Sequence, residues 1–277
     1  KMMDAANQLF GKYPWKRYDL LVLPSSFPFG GMENPRLSFV TPTIITGDKS
    51  LISLVAHELA HSWSGNLVTN ASWNDVWLNE GFTNYVENRI MQKVYGQPRA
   101  DMELLLNVRA LRNLLTHQTP ADSRLQADYR GRDPDEAFHQ IPYVKGQLLL
   151  LTLAQHFGQA QFDQFLRDYF AHFAFQSIET ESFVRYFQQQ LNSKQSFSEQ
   201  ALSRWLTAPG LPDELALPAS DAFARVSVAQ QQWLAGKAGL RLLPTAQWSV
   251  HEWLHFIDLL PRELTEQQLS ELDLAFS

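Results

Sequence analysis

The segment His57-Glu58-Leu59-Ala60-His61 constrains this chain more than any other. Two histidines four positions apart point together only on a helix, where four residues turn the chain by about 400°. Glu58 then lies about 100° round the axis from His57, able to reach a water held at the histidines without joining the ligand set. The chain has no cysteine and 8 His, so a metal held here must be bound by imidazoles and carboxylates. Zinc suits that donor set. It takes neutral imidazole nitrogens, brings the pKa of a bound water toward ~7, and keeps a fourth position open when three protein groups bind. The five-residue pattern recurs by chance, so a third ligand decides. Leu78-Asn79-Glu80-Gly81-Phe82 supplies Glu80, 19 positions after His61 on a second expected helix. Two helices joined through residues 65–77 can pack antiparallel and set Glu80 opposite the histidines. The expected zinc ligands are His57, His61 and Glu80, one ion per chain, with Glu58 as the base.

A second match, His251-Glu252-Trp253-Leu254-His255, lacks this support. The place equivalent to Glu80 holds Leu274, and the nearest acid is Asp273. Ser249 with Glu252 three residues on reads as a capping box, in which the glutamate bonds backbone at a helix start. The expectation here is a structural helix with its histidines on the surface.

The rest of the chain divides unevenly. Residues 18–24 are a short apolar run closed by Pro24 and read as a buried strand. Residues 37–40 and 43–46 read as edge or irregular strands round Pro42. From about Ser50 the period turns helical, with helices expected from Ser50 to a stop at Gly65, over 78–95, 102–117, 143–157, 161–175, 181–191 and 199–206. Pro209, Gly210, Pro212 and Pro218 mark a boundary, and polar-faced helices follow at 222–236 and 249–260. The fold class expected is α+β and mostly helical. Residues 1–206 form one domain with a small N-terminal sheet, 207–221 a Pro-rich linker, and 222–277 the start of a helical domain that is cut short. With 45% hydrophobic residues in 277 the chain can fill a core. A net charge of −6 argues against nucleic acid as a general partner. No apolar run reaches the ~18 residues that a membrane-spanning helix requires. Residues 2–10 already read as mid-helix, without a signal pattern before them, which suggests a piece of something longer.

With His57, Glu58, His61 and Glu80 in order, the chain resembles the gluzincin zinc aminopeptidases, the family of alanyl aminopeptidase, puromycin-sensitive aminopeptidase, aminopeptidase B and leukotriene A4 hydrolase. Gly30-Gly31-Met32-Glu33-Asn34 looks like that family's exopeptidase motif, with Gly31 standing 26 residues before His57. The wording of residues 18–35, 61–70 and 77–81 is most similar to the leukotriene A4 hydrolase and aminopeptidase B branch. The resemblance implies a thermolysin-like catalytic domain acting on peptides with a free N-terminus. It implies that Glu33 binds the substrate α-amine, that Gly30, Gly31, Met32 and Asn34 bring the substrate-binding backbone close to the peptide, and that Tyr143 donates to the developing oxyanion. Phe138 stands where leukotriene A4 hydrolases carry a second tyrosine, and Val144 where that branch often has Glu, although Asp135 is retained. These departures favour a peptidase over the alternative, a lipid epoxide hydrolase using Asp135. The resemblance also implies an N-terminal β-domain missing here and a C-terminal helical domain only begun, which leaves an inactive fragment as a further alternative. The expected compartment is cytoplasmic.

Overall fold

A computed structural model describes residues 1–193, 195–213 and 215–276. Lys194 in the expected catalytic domain, Glu214 in the expected linker and Ser277 in the expected helical domain lie outside the described residues. Helix α1 (Met2–Phe10) leads into strands β1 (Asp19–Val22), β2 (Gly31–Met32) and β3 (Leu37–Val40). They form a sheet in the order β1-β3-β2, with β1 parallel to β3 and Met32 paired with Phe39 antiparallel. Helix α2 (Ser53–Ala60) and strand β4 (Val68–Asn70) precede the long helices α3 (Trp77–Tyr95) and α4 (Gln97–Leu115). A π-helical turn (Ile141–Lys145) runs into α5 (Gly146–Phe157), followed by α6 (Gln159–His172), β5 (Gln176–Ile178), α7 (Thr180–Phe187) and α8 (Glu199–Thr207). Helices α9 (Asp221–Leu234), α10 (Val250–Asp258) and α11 (Glu266–Phe276) complete the chain.

Helix α3 is the centre, because its apolar residues cover almost its whole circumference. Trp77, Leu78, Phe82, Tyr85, Val86, Ile90 and Met91 are all buried, and a helix apolar on every side must be surrounded. It packs against α1, α2, α4 and α5. Phe82 stacks on Tyr169 of α6 at 5.0 Å and meets Phe183 of α7 edge-on; Phe82→Ala would cost about 3–5 kcal/mol. The rotation of α3 is pinned at its first turn. Trp77 Nε1 donates to Thr180 Oγ1 at 3.0 Å, and Asp75 Oδ1 accepts from the Thr180 amide and hydroxyl at 2.8 and 2.9 Å. Gly96, at φ +93°, ends α3 and begins α4 in a backbone region closed to most side chains.

Four expectations for residues 1–206 need correction. The run 18–24 forms a strand, but Leu20, Leu21 and Val22 are exposed, because β1 is a sheet edge that nothing among the described residues covers. Residues 43–46 make no strand; Pro42 opens a 3-10 turn over Pro42–Ile44. Helix α2 stops at Ala60 instead of continuing to Gly65, since Ser64 turns inward and its hydroxyl donates to the carbonyls of Leu78 and Asn79 at 3.0 and 2.8 Å. Tyr143 sits in a π-helical turn before α5, not at an α-helix start.

A second buried cluster of Val226, Trp233, Leu240, Leu243 and Phe256 lies among α9, α10 and their connection. The expected linker is not free, for Leu211, Leu215 and Leu217 pack partly buried against the main core. The capping box at Ser249 and Glu252 is present. Its histidines are not on the surface, however. His251 and His255 are buried where α10 meets α4, His251 Nε2 lying 3.5 Å from Glu103 and His255 Nδ1 2.6 Å from Arg109.

Candidate active site

Helix α2 presents His57 from its last turn, and His61 caps its end. Their Nε2 atoms lie 3.1 Å apart, and each is 3.5 Å from Glu80 Oε2 on α3. The opposite nitrogens settle the tautomers. His57 Nδ1 donates to the Glu87 carboxylate at 3.0 Å. His61 Nδ1 donates to the Ser64 carbonyl at 3.0 Å, with Asn79 Oδ1 and Thr83 Oγ1 at 3.0 and 3.1 Å. A neutral ring protonated at Nδ1 has only a lone pair at Nε2. With both rings neutral, three lone-pair atoms converge with no proton among them, and Glu80 Oε2 is buried without a hydrogen-bond partner. Such a cluster is repulsive unless a cation joins it. Burial disfavours a charged His57, yet the Glu80 and Glu87 carboxylates hold its pKa well above the ordinary value; without a metal a proton at Nε2 supplies the positive charge, and a metal ion would replace it. Two imidazoles, one carboxylate and hydrogen-bonded outer nitrogens fit zinc.

Glu58 faces the same space. It is buried, its Oε2 has no partner, and burial raises its pKa to about 7. Its immediate neighbour is main chain. A Cβ on Gly31 would fall 2.0 Å from Glu58 Oε1, so only glycine lets β2 pass so close. The loop beyond β2 carries Glu33, whose backbone carbonyl accepts from Asn66 Nδ2 at 2.7 Å. Burial alone would raise the Glu33 pKa, but His61 and the Asn79 amide outweigh it and keep the carboxylate charged. Met32 and Gly30 line the cleft with Gly31, and Asn34 Nδ2 is buried without a partner. Tyr143 lies parallel to His57, its ring 6.2 Å away. Burial first, and then Glu80, hold its phenol far above the usual range, so it remains a proton donor.

These groups open on a cleft of about 760 Å³ whose lining also includes Phe29, Trp73 and Phe138. Trp73 meets Phe138 edge-on at 5.5 Å. Asp135 does not line the cleft; it is exposed on the 3-10 turn Pro134–Ala137. The supporting residues Glu87, Ser64, Thr83 and Asn79 carried no sequence signal of their own. Glu87 could have been found, since it stands seven residues, two helical turns, beyond Glu80 on the same face of α3.

Residues 1–205 match the Peptidase family M1 domain, and the chain belongs to that family. Leucine aminopeptidase 2-1 of Meyerozyma guilliermondii is 44% identical over 215 residues, which are 76% of this chain and 35% of that one. Aminopeptidase B of Mus musculus is 36% identical over 272 residues, 93% of this chain and 42% of the relative. The solved yeast LTA4 hydrolase in complex with Bestatin superposes with a TM-score of 0.83 at 32% identity, covering 98% of this chain and 46% of that structure. The M1 zinc metallopeptidase of Deinococcus radiodurans gives 0.60 at 28% identity, over 79% of this chain and 45% of the other. The chain thus spans between 35% and 46% of the length of these relatives.

Proposed function

We propose that this chain is the catalytic part of a zinc aminopeptidase that removes residues from peptides with a free N-terminus. Residues 1–206 carry the chemistry, 207–221 connect, and 222–277 belong to a helical unit packed beside it. The observation that carries the reading is the convergence of two imidazole nitrogens and the unpartnered Glu80 Oε2 beside the unpartnered Glu58 Oε2, with Glu33 Oε1 3.8 Å from His61. His57, His61 and Glu80 hold the zinc, which when bound polarises the scissile carbonyl and acidifies a water.

The remaining work falls to this chain's own side chains. Glu33 pairs with the substrate ammonium and fixes the distance to the first peptide bond. Glu58 takes the proton of the attacking water and returns it to the leaving amine, a task suited to a carboxyl whose pKa is near neutrality. Tyr143 donates its phenolic hydrogen to the oxygen that becomes negative, a bond stronger in the transition state than in the substrate complex. Gly31 leaves room for extended backbone beside Glu58. The place of Asp135 outside the cleft, and of Phe138 within it, favours peptide over epoxide as substrate. The test is Glu58→Gln in the full-length protein. Zinc content should stay at one per chain while turnover of an aminoacyl-arylamide falls by roughly 10²–10⁴-fold; undiminished turnover rules the assignment out.

A further inference from the structure

Lys145 is fully buried and takes no part in the chemistry above. Its Nζ donates to the carbonyl of Ser123 at 3.0 Å and to that of Ala208 at 2.9 Å. No carboxylate pairs with it among the described residues, and burial brings its pKa down to about 8, so it is still charged at neutral pH. A buried ammonium held only by two neutral carbonyls is a costly choice where a Met or Leu would fill the space. Its position in the fold suggests why it is there.

Lys145 ends the π-helical turn Ile141–Lys145 that carries Tyr143 two residues earlier. Turns of this kind are rare, occur mostly as single turns within helices and are frequent at functional sites. One side of the turn is fixed by main chain. A Cβ on Gly81 would fall 2.7 Å from Gly146 Cα and 2.9 Å from the Pro142 carbonyl, so the turn lies directly on α3 beside Glu80. The other side is held by Lys145. Its two acceptors come from separate segments, the loop after α4 and the C-cap of α8, and those segments join each other through Gly210 N to Ser123 Oγ at 3.0 Å. The ammonium is the knot of three strands of chain. Displacement of the turn by a few tenths of an ångström would move the Tyr143 hydroxyl off its target without touching the zinc ligands.

We propose that Lys145 is a positioning residue that acts through Tyr143, its ammonium locking the π-helical turn to Ser123 and Ala208 so that the phenol stays aimed into the cleft. This rests on the role given to Tyr143. The zinc-loaded protein at full length should be compared as wild type, Lys145→Met, Tyr143→Phe and the double variant, each well below its own melting temperature. Lys145→Met should lower kcat by about 10- to 100-fold, leave KM within about threefold, and keep one zinc per chain. The double variant should turn over within about threefold of Tyr143→Phe alone, because a residue acting only through Tyr143 has nothing further to lose. If Lys145→Met does not fold, Lys145→Gln, which keeps an amide donor, carries the same comparison. Wild-type kcat in a folded Lys145 variant, or losses that multiply in the double, would overturn the proposal alone. Wild-type turnover in Tyr143→Phe would instead overturn the role of the tyrosine, and this proposal with it.

Discussion

The chain holds two His-Glu-x-x-His segments on two helices, and their surroundings give them opposite chemistry. At α2 the outer nitrogens of His57 and His61 are taken by Glu87 and Ser64, which leaves both Nε2 lone pairs facing Glu80. At α10 the outer and inner nitrogens of His255 are both used. Arg109 donates to Nδ1 at 2.6 Å, Ser227 is 2.9 Å from Nε2, and the ring stacks on Phe223 at 4.0 Å. His251 turns to Glu103. The glutamates diverge as well, for Glu58 is buried without a partner while Glu252 bonds the amide and hydroxyl of Ser249 at 2.8 Å each. Helical spacing alone brings two rings to one face. Which nitrogens remain free, and whether a third acid stands opposite, decides which segment is suited to hold a metal.

That contrast can be broken at several points. The largest effect is expected at the ligands. Glu80→Ala or His57→Ala should reduce zinc from one per chain to nearly none by atomic absorption, whereas His251→Ala with His255→Ala should leave it at one. Equal loss in both pairs would mean that α10 takes part in holding the metal. Glu87→Gln tests the partner that orients His57; zinc affinity should fall by about 10- to 100-fold in a competition titration. At the other segment Glu252→Ala removes a cap and should cost about 0.5–2 kcal/mol of stability with kcat unchanged.

The smallest expected effect is a slope. Burial first, and then the Arg109 guanidinium, lower the pKa of His255 to about 4, against about 6.5 in an unfolded chain. Between those values the unfolded chain binds the proton and the folded one does not. The contribution of His255 to stability is therefore complete above pH ~6.5 and is lost as pH falls toward about 4. Denaturant midpoints at pH 4.5 and 7 should differ more in the wild type than in His255→Gln, and equal differences would remove His255 from the acid limb.

Much of this was legible because it depends on short range. The four-residue spacing of His57 and His61, the Glu80 helix and its end at Gly96 follow from local periodicity, and the structure places the three side chains within 3.5 Å. What was missed depends on distant partners. The histidines of α10 read as surface groups because the capping box at Ser249 is a local signal, whereas their burial comes from Glu103 and Arg109 on α4, far back in the chain. The exposure of β1 was hidden for the converse reason, since an apolar run announces burial but not what buries it. The wide turn at Tyr143 has no sequence period of its own. It arises where Gly81 and Gly146 bring two backbones together.

Gly31 has a consequence for how sites of this shape diversify. With main chain forming the side of the cleft next to Glu58, there is no side chain at that position for selection to exchange, and any gained methyl would push the carboxylate aside. Variation has to act elsewhere, on lining side chains such as Trp73 and Phe138. The part of the cleft beside Glu58 is frozen by main chain, and the aromatic part is left free to change its appetite.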